Sequence, residues 1–287
     1  MLEKCLGIFG HPLSHTMSPV MHNTSAKELG LPYKFMAFDV KPKDLEEAVL
    51  GTRGMGFSGL CITIPHKVEV FKLVDKTTKD AELIGAVNVV TFSKNGEMTG
   101  HNTDGLGWVK SLQEIGETPK GKKCLILGAG GAARAIAVKL AQEKAKHISI
   151  RNRSISKAEE LAQYITSRIP GSAADGDGLQ SLEKETNTFD LIVNTTSVGM
   201  SGEDTRESTS LIEESWISER NICSDAVYNP LETIFLQNAK RRGAKTLSGL
   251  GWLIHQGALA WKLWTGTEMP IVAVRKALIE ELTKNEI

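Results

Sequence analysis

The chain carries no surplus of charge: 34 lysines and arginines meet 34 aspartates and glutamates over 287 residues. A balanced chain has no long-range field to collect nucleic acid or an anionic membrane, so neither is expected as a partner. The basic run Lys240-Arg241-Arg242 reads as a solvated helix end. Cysteine is scarce. Cys5, Cys61, Cys124 and Cys223 form no CxxC pair, and each lies in or beside an apolar strand-like run. They read as inert buried thiols in a reducing compartment rather than a disulfide framework. No apolar stretch reaches the roughly 20 residues that span a bilayer. The first residues run into a strand without a signal-peptide pattern, so a cytoplasmic location is expected. Metal-ligand spacing is also missing. There is no HExxH, and Pro12 and a turn interrupt His11, His15 and His22, so no metal site is expected. No repeat of solenoid type occurs.

What is present alternates between strand and helix signals. In the first hundred residues, strands are expected at Cys5 to Phe9, Tyr33 to Val40 and Leu60 to Ile64. Helices should open at Ser18-Pro19 and at Pro42. Val87 to Phe92 and Glu97 to His101 flank Asn95-Gly96, the signature of a hairpin with a type I′ turn. A mostly parallel sheet with an antiparallel excursion follows. After a helix from about Gly105 to Ile115 and a Pro119-Lys120-Gly121 linker, a second βα series begins. Its strands are expected at Lys123 to Leu127, His147 to Arg151, Leu191 to Asn194 and Asn221 to Asp225, with helices at Ala132 to Gln142 and Ser156 to Arg168. The polar stretches 171–188 and 201–210 read as surface loops. From Gly249 the chain is helical again, broken at Met269-Pro270. Trp252, Trp261 and Trp264 share that apolar run and suit packing better than a ligand cage.

Residues 123 to 135 place a Gly-rich turn between an apolar strand and an Ala-rich helix. Gly128 permits the tight turn, Gly130 lets backbone approach a pyrophosphate, and Ala133 takes the third small position; Ala129, Gly131 and Ala132 complete the loop. The helix start offers N–H groups and a positive dipole end to phosphates. A dinucleotide that rests here should meet the end of the next strand. An NAD site has an acid there, whereas this chain reads Arg151-Asn152-Arg153-Ser154, with Lys157 one turn on. Cations beside a hydroxyl suit a 2′-phosphate, so NADP(H) is expected; a solvated basic loop is the bland alternative.

Four polar clusters stand at strand ends ahead of that unit: Gly10 to Pro19, Thr63-Ile64-Pro65-His66-Lys67, Gly85-Ala86-Val87-Asn88 and His101-Asn102-Thr103-Asp104-Gly105. Singly each is a plausible turn or cap, with Ser18 and Asp104 as candidate N-caps. Together, and with Asn152-Arg153-Ser154, Asn194-Thr-Thr-Ser and Gly249-Leu-Gly followed by Gln256, they resemble the shikimate dehydrogenase (shikimate/quinate dehydrogenase) family along essentially the whole chain. The resemblance implies an α/β fold: an N-terminal α/β substrate domain with a mixed sheet, a Rossmann-type NADP-binding domain, and C-terminal helices returning to the substrate domain. The implied ranges are 1–104 plus 250–287 and 105–249. It also implies NADPH-dependent, reversible reduction of 3-dehydroshikimate to shikimate, on the shikimate route to aromatic amino acids.

By the same resemblance Lys67 and Asp104 are the catalytic pair, and Thr16, Ser18, Thr63, Asn88, Gln256 and Tyr228 hold the substrate. Thr195 and Gly249 join Gly128 to Ala133, Asn152, Arg153, Ser154 and Lys157 around the cofactor. A monomer or homodimer is expected. Cys61 stands where the family usually has Asn, and Thr16 where it commonly has Ser; both bear on fine substrate choice. Rival readings are a dual quinate/shikimate enzyme, a methylene-tetrahydrofolate or glutamyl-tRNA reductase type, and a non-catalytic NADP-binding sensor. Asn102-Thr103-Asp104 and the want of a catalytic Cys motif argue against the reductases, and an intact Lys67 and Asp104 against the sensor.

Overall fold

The computed structural model describes residues 3–13, 16–201 and 209–284. Ser14, His15 and residues 202–208 of the expected loop lie outside them. The chain forms two compact units, Met1–Thr103 with Gln256–Ile287, and Asp104–His255.

The first unit opens with β1 (Lys4–Gly10), α1 (Ser18–Glu28) and β2 (Tyr33–Asp39). Pro42 begins a 3₁₀ turn, and α2 (Leu45–Gly54) follows it directly. Then come β3 (Gly59–Ile62), α3 (Lys67–Leu73), β4 (Lys76–Thr77), α4 (Lys79–Ile84) and the hairpin β5 (Val89–Phe92) with β6 (Met98–His101). The strand order is β2-β1-β3-β5-β6-β4. β2, β1 and β3 run parallel, β5 is antiparallel to both β3 and β6, and β4 is parallel to β6. This is the expected mixed sheet. Its core joins Phe9, Val49, Leu60, Ile62, Val70 and Met98. The hairpin turn departs from expectation. Gly96 takes φ +80°, but Asn95 is not left-handed, so a type I′ turn is ruled out. A three-residue loop replaces it: Gly96 N–H bonds to Ser93 O, and Ser93 N–H to Glu97 O.

The second unit holds α5 (Asp104–Glu114), β7 (Lys123–Leu127), α6 (Gly131–Gln142), β8 (His147–Arg151) and α7 (Ile155–Arg168). The expected loop 171–188 instead supplies β9 (Ala174–Asp177), 3₁₀ turns and α8 (Leu182–Glu185). β9 lacks an apolar signature because polar pairing replaces apolar burial along it. Asp175 accepts hydrogen bonds from Ser149 Oγ (2.7 Å) and Arg151 Nη1 (2.6 Å), and Gly176 lies so close to the Ala158 backbone that a Cβ would overlap it. β10 (Leu191–Asn194), β11 (Ile222–Asp225), α9 (Ile234–Arg241) and β12 (Lys245–Leu247) complete the unit. The sheet is wholly parallel in the order β12-β11-β10-β7-β8-β9, the doubly wound arrangement with its switch point between β7 and β10. Leu125, Leu127, Ile192, Phe235 and Leu236 form its core.

α10 (Gly249–Thr265) carries the chain from the second unit back into the first, and α11 (Ile271–Lys284) follows. Trp261 and Trp264 are core residues of the first unit. The Trp264 indole donates to Val90 O at 3.0 Å and occupies the space that a Cβ on Gly59 would need. Cys61, Cys124 and Cys223 are buried, and none of the four cysteines is in a disulfide; burial pushes the Cys223 thiol up to about 12 and the Cys124 thiol further. No helix among the described residues is long and apolar enough to cross a membrane.

Candidate active site

Register explains why the polar clusters of the first unit meet. Phe9 stands opposite Ile62, Cys61 opposite Val89, and Val89 opposite His101. The ends of β1, β3 and β6 and the start of β5 therefore share one sheet edge. On that edge sit Thr63 and Lys67 after β3, Asn88 before β5, and Asn102 and Thr103 after β6, with Thr16 and Ser18 following β1. Asn88 is buried and locked: its Nδ2 donates to Thr103 Oγ1 (2.9 Å) and its Oδ1 accepts the Thr103 N–H (2.8 Å). Asn102 Nδ2 donates to Ala86 O at 3.0 Å.

The Lys67 turn is tied on several sides. Thr63 N–H bonds to Phe9 O, His66 N–H to Thr63 O, and Val87 N–H to Lys67 O. The buried His66 imidazole reaches Val40 O through Nε2 at 2.7 Å. Ser18 does not cap α1. Met17 holds the cap position, Ser18 is the first helical residue, and its N–H donates to Thr16 Oγ1 at 3.3 Å. Gln256 lies half-buried in α10. His11 Nδ1 lies 2.5 Å from Asp39 Oδ1, and no group of three metal-ligating side chains occurs among the described residues.

In the second unit Asp104 opens α5 and is buried. The helix is fixed there by Trp252, whose Nε1–H donates to Asp104 O at 2.7 Å, and by Gly105, where a Cβ would come within 2.6 Å of Ala135 O. Lys67 thus belongs to the first unit and Asp104 to the second.

The dinucleotide loop leaves β7 at the switch point. Gly128 has φ +105°, and a Cβ there would lie 2.7 Å from Thr195 Oγ1, so only glycine fits. Thr195 N–H and Oγ1 both bond to Leu127 O, joining the ends of β7 and β10. Gly130 caps α6 without a side-chain acceptor, the first turn has no acid, and ideal Cβ atoms on Gly130 and Gly131 would meet nothing within 4 Å. An uncapped helix start with open space above it fits a pyrophosphate. Ala133 is fully buried against the strand. At the end of β8, Asn152 N–H bonds to Asp177 O and its Nδ2 to Ser154 O, which shapes the loop. Arg153 and Lys157 are exposed, and among the described residues neither has an ion-pair partner. Arg151 differs. It is buried and committed to Asp175, so it does not join that cationic pair.

The sequence did not single out Asp225, whose carboxyl burial pushes up to about 6 against the donors around it, nor the Trp252 and Thr103 contacts. An acid at the end of a parallel strand was the available signal. Tyr228 follows on the same loop, its phenol pushed up by burial, and Gly249 packs so tightly on Ala226 that a Cβ would overlap the backbone.

Three family profiles match successive parts of the chain: the shikimate dehydrogenase substrate binding domain over residues 8–90, shikimate/quinate 5-dehydrogenase over 110–207, and the shikimate 5′-dehydrogenase C-terminal domain over 249–279. The NADP(+)-dependent shikimate dehydrogenase of Methanopyrus kandleri is 46% identical over 282 residues, 96% of this chain and 95% of its own. A crystal structure of a shikimate dehydrogenase in complex with NADP+ superposes with a TM-score of 0.90 at 40% identity, covering 98% of both chains. Quinate dehydrogenase from Corynebacterium glutamicum, in complex with NAD, also reaches 0.90, at 28% identity over 97% of this chain and 99% of its own.

Proposed function

The chain belongs to the shikimate dehydrogenase family, and from that premise we infer that it is an NADP-dependent shikimate dehydrogenase interconverting 3-dehydroshikimate and shikimate in the shikimate pathway. The observation that carries the reading is one sheet edge gathering Thr63, Lys67, Asn88, Asn102 and Thr103, in a chain whose second unit bears an open dinucleotide loop. Residues 1–103 with 256–287 form the substrate-binding domain and 104–255 the cofactor domain. The enzyme works in the cytoplasm as a monomer or homodimer.

Bound NADPH supplies a hydride. Gly128 to Ala133 hold its pyrophosphate on the α6 start, while Asn152, Arg153, Ser154 and Lys157 hold the 2′-phosphate; Thr195 and Gly249 line the same cofactor. Thr16, Ser18, Thr63, Asn88, Gln256 and Tyr228 orient the substrate through its carboxylate and hydroxyls. As negative charge grows on the ketone oxygen, the Lys67 ammonium stabilises it and delivers the proton. Asp104 accepts a hydrogen bond from a substrate hydroxyl and so orients the substrate. In the reverse direction Lys67 takes the proton back.

The test is NADPH oxidation on addition of 3-dehydroshikimate, with Lys67→Ala lowering kcat by about 10² to 10⁴ and KM changing less. A wild-type chain inert to that ketone, or near-normal turnover in Lys67→Ala, would refute the reading or the proton donor respectively. The second reading, dual use of quinate, draws on the fold shared with the C. glutamicum enzyme. Quinate adds a hydroxyl at the carboxylate-bearing carbon, beside the methyl of Thr16, and an unpartnered buried hydroxyl costs about 1–3 kcal/mol. Cys61 is a weak partner for it. Shikimate should therefore be preferred by at least about tenfold in kcat/KM; equal efficiency would favour the dual enzyme.

A further inference from the structure

The reading above assigns Thr195 to the cofactor and Tyr228 to the substrate, and gives no task to the acid that lies between their loops. Asp225 closes β11 and is 1% exposed. Its Oδ1 accepts from Asn194 Nδ2 at 2.9 Å and from Val227 N–H at 3.0 Å, and its Oδ2 accepts from Thr233 Oγ1 at 2.7 Å. Asn194 closes the neighbouring β10 as the register partner of Asp225. The rest of the Asn194 amide builds the turn that starts at Thr195. Oδ1 accepts the Thr196 N–H (3.1 Å) and Oγ1 (2.7 Å), and Nδ2 also reaches Val198 O (3.1 Å). On the other side Thr233 caps α9, and Gly249 N–H donates to Val227 O at 3.1 Å.

A carboxylate withdrawn from water is unfavourable unless its lone pairs are met, and a neutral side chain would close the strand at lower cost. What the charge adds is convergence. Donors from the end of β10, the turn after β11 and the start of α9 all aim at one group, and an ionised carboxylate accepts without donating. Burial raises this carboxyl to about 6, so near neutral pH it is still mostly the acceptor the arrangement requires.

We propose that Asp225 is a positioning residue that locks the Thr195 turn and the Tyr228 loop into one arrangement, and through them sets the binding of cofactor and substrate. The proposal rests on the roles inferred above for Thr195 and Tyr228. A plug that only fills the core would predict something else: fewer folded molecules, each with normal affinities.

The experiment compares Asp225→Asn, Thr233→Val and Thr233→Ser in the full chain. NADPH dissociation constants come from fluorescence titration, KM and kcat from shikimate oxidation, and amide exchange is followed at residues 195–201 and 226–231. Asp225→Asn should weaken NADPH binding and raise the shikimate KM by about tenfold or more, the scale of a lost charge-assisted hydrogen bond. Exchange at the Thr196 and Val227 amides should speed up in step. Thr233→Val should move the same values in the same direction, while Thr233→Ser, which keeps the hydroxyl, stays at wild type. Unchanged affinities in Asp225→Asn, or a loss of kcat alone in proportion to unfolded protein, would overturn the lock. Should Asp225→Asn not fold, the Val/Ser contrast at Thr233 decides, and equal behaviour of the two overturns it. A wild-type chain that neither binds NADPH nor reduces 3-dehydroshikimate would defeat the functional reading instead, and exchange at Thr196 and Val227 would still judge the lock.

Discussion

Arg153 has charge and reach but no ion-pair partner among the described residues, whereas its neighbour Arg151 is spent on Asp175. If the loop after β8 takes the 2′-phosphate as proposed, that division leaves the discrimination between NADP and NAD to Arg153. Arg153→Ala should raise the NADP KM about tenfold, the worth of one charge-assisted contact, and leave the NAD KM nearly unmoved. Equal losses for both cofactors in steady-state assays would move the 2′-phosphate elsewhere. His22 makes a different kind of prediction. It is fully buried against Phe35, Trp261 and Trp264, both ring nitrogens lack a hydrogen-bond partner among the described residues, and burial lowers it to about 3 from 6.5. The folded chain refuses a proton that the unfolded chain accepts. Its contribution is thus whole above pH 6.5 and drains as pH falls toward 3, by about 1.4 kcal/mol per unit. Asp225, raised from 3.8 to about 6, has the opposite sign and loses stability as pH rises through that window. His22→Phe removes the first slope only. Urea unfolding at pH 7.5, 6 and 5 should show the variant gaining on the wild type at each step down; a pH-independent difference would mean that His22 is not held neutral.

Among the elements, β2 is an edge strand with an exposed outer side, and α1 guards it with one residue. Asn23 Nδ2 donates to Phe35 O (3.0 Å) and its Oδ1 accepts the Phe35 N–H (2.9 Å), as a neighbouring strand would. Asn23→Ala should cost about 1–3 kcal/mol and make light scattering rise with protein concentration; Asn23→Asp, which keeps the acceptor, should fall between. A stable, non-associating alanine variant would show that the edge needs no guard. The same contrast explains what sequence could reveal. β7, β8 and β10 were plain because parallel strands buried on both faces read as apolar runs. The Gly128 loop was plain because it stands between an apolar strand and an Ala-rich helix, and the Lys67 turn because it stands at a strand end among three other polar clusters. β9 was hidden, since its strand character lies in Asp175 pairing and the Gly176 approach to α7, both of which need a partner that lies far away in sequence. The Asn95-Gly96 dipeptide misled for a related reason: loop length, rather than the dipeptide, decided the turn. Asp225 and Trp252 were silent until register and helix packing gave them neighbours.

At the scale of the molecule, the second unit is continuous, and the first is not. Met21, His22 and Phe35 are buried with Trp261 and Trp264, and α1 packs on α11, so residues 256–287 complete a core that residues 1–103 begin. Expressed alone, 104–255 should unfold cooperatively on heating and retain its doubly wound signature by circular dichroism. Residues 1–103 alone should remain partly unfolded and bind hydrophobic dyes, and adding 256–287 through a short linker should restore them. A cooperative melt from 1–103 alone would refute this. The same discontinuity has a meaning in time. A ribosome adds roughly 5–20 residues each second, so the opening hundred residues wait on the order of ten seconds or more for the helices that close their core, while the middle of the chain folds in their presence. Residues 1–103 are made well before the helices that finish them, and their nascent form must be kept soluble by its own guarded edge or by a chaperone until α10 and α11 emerge.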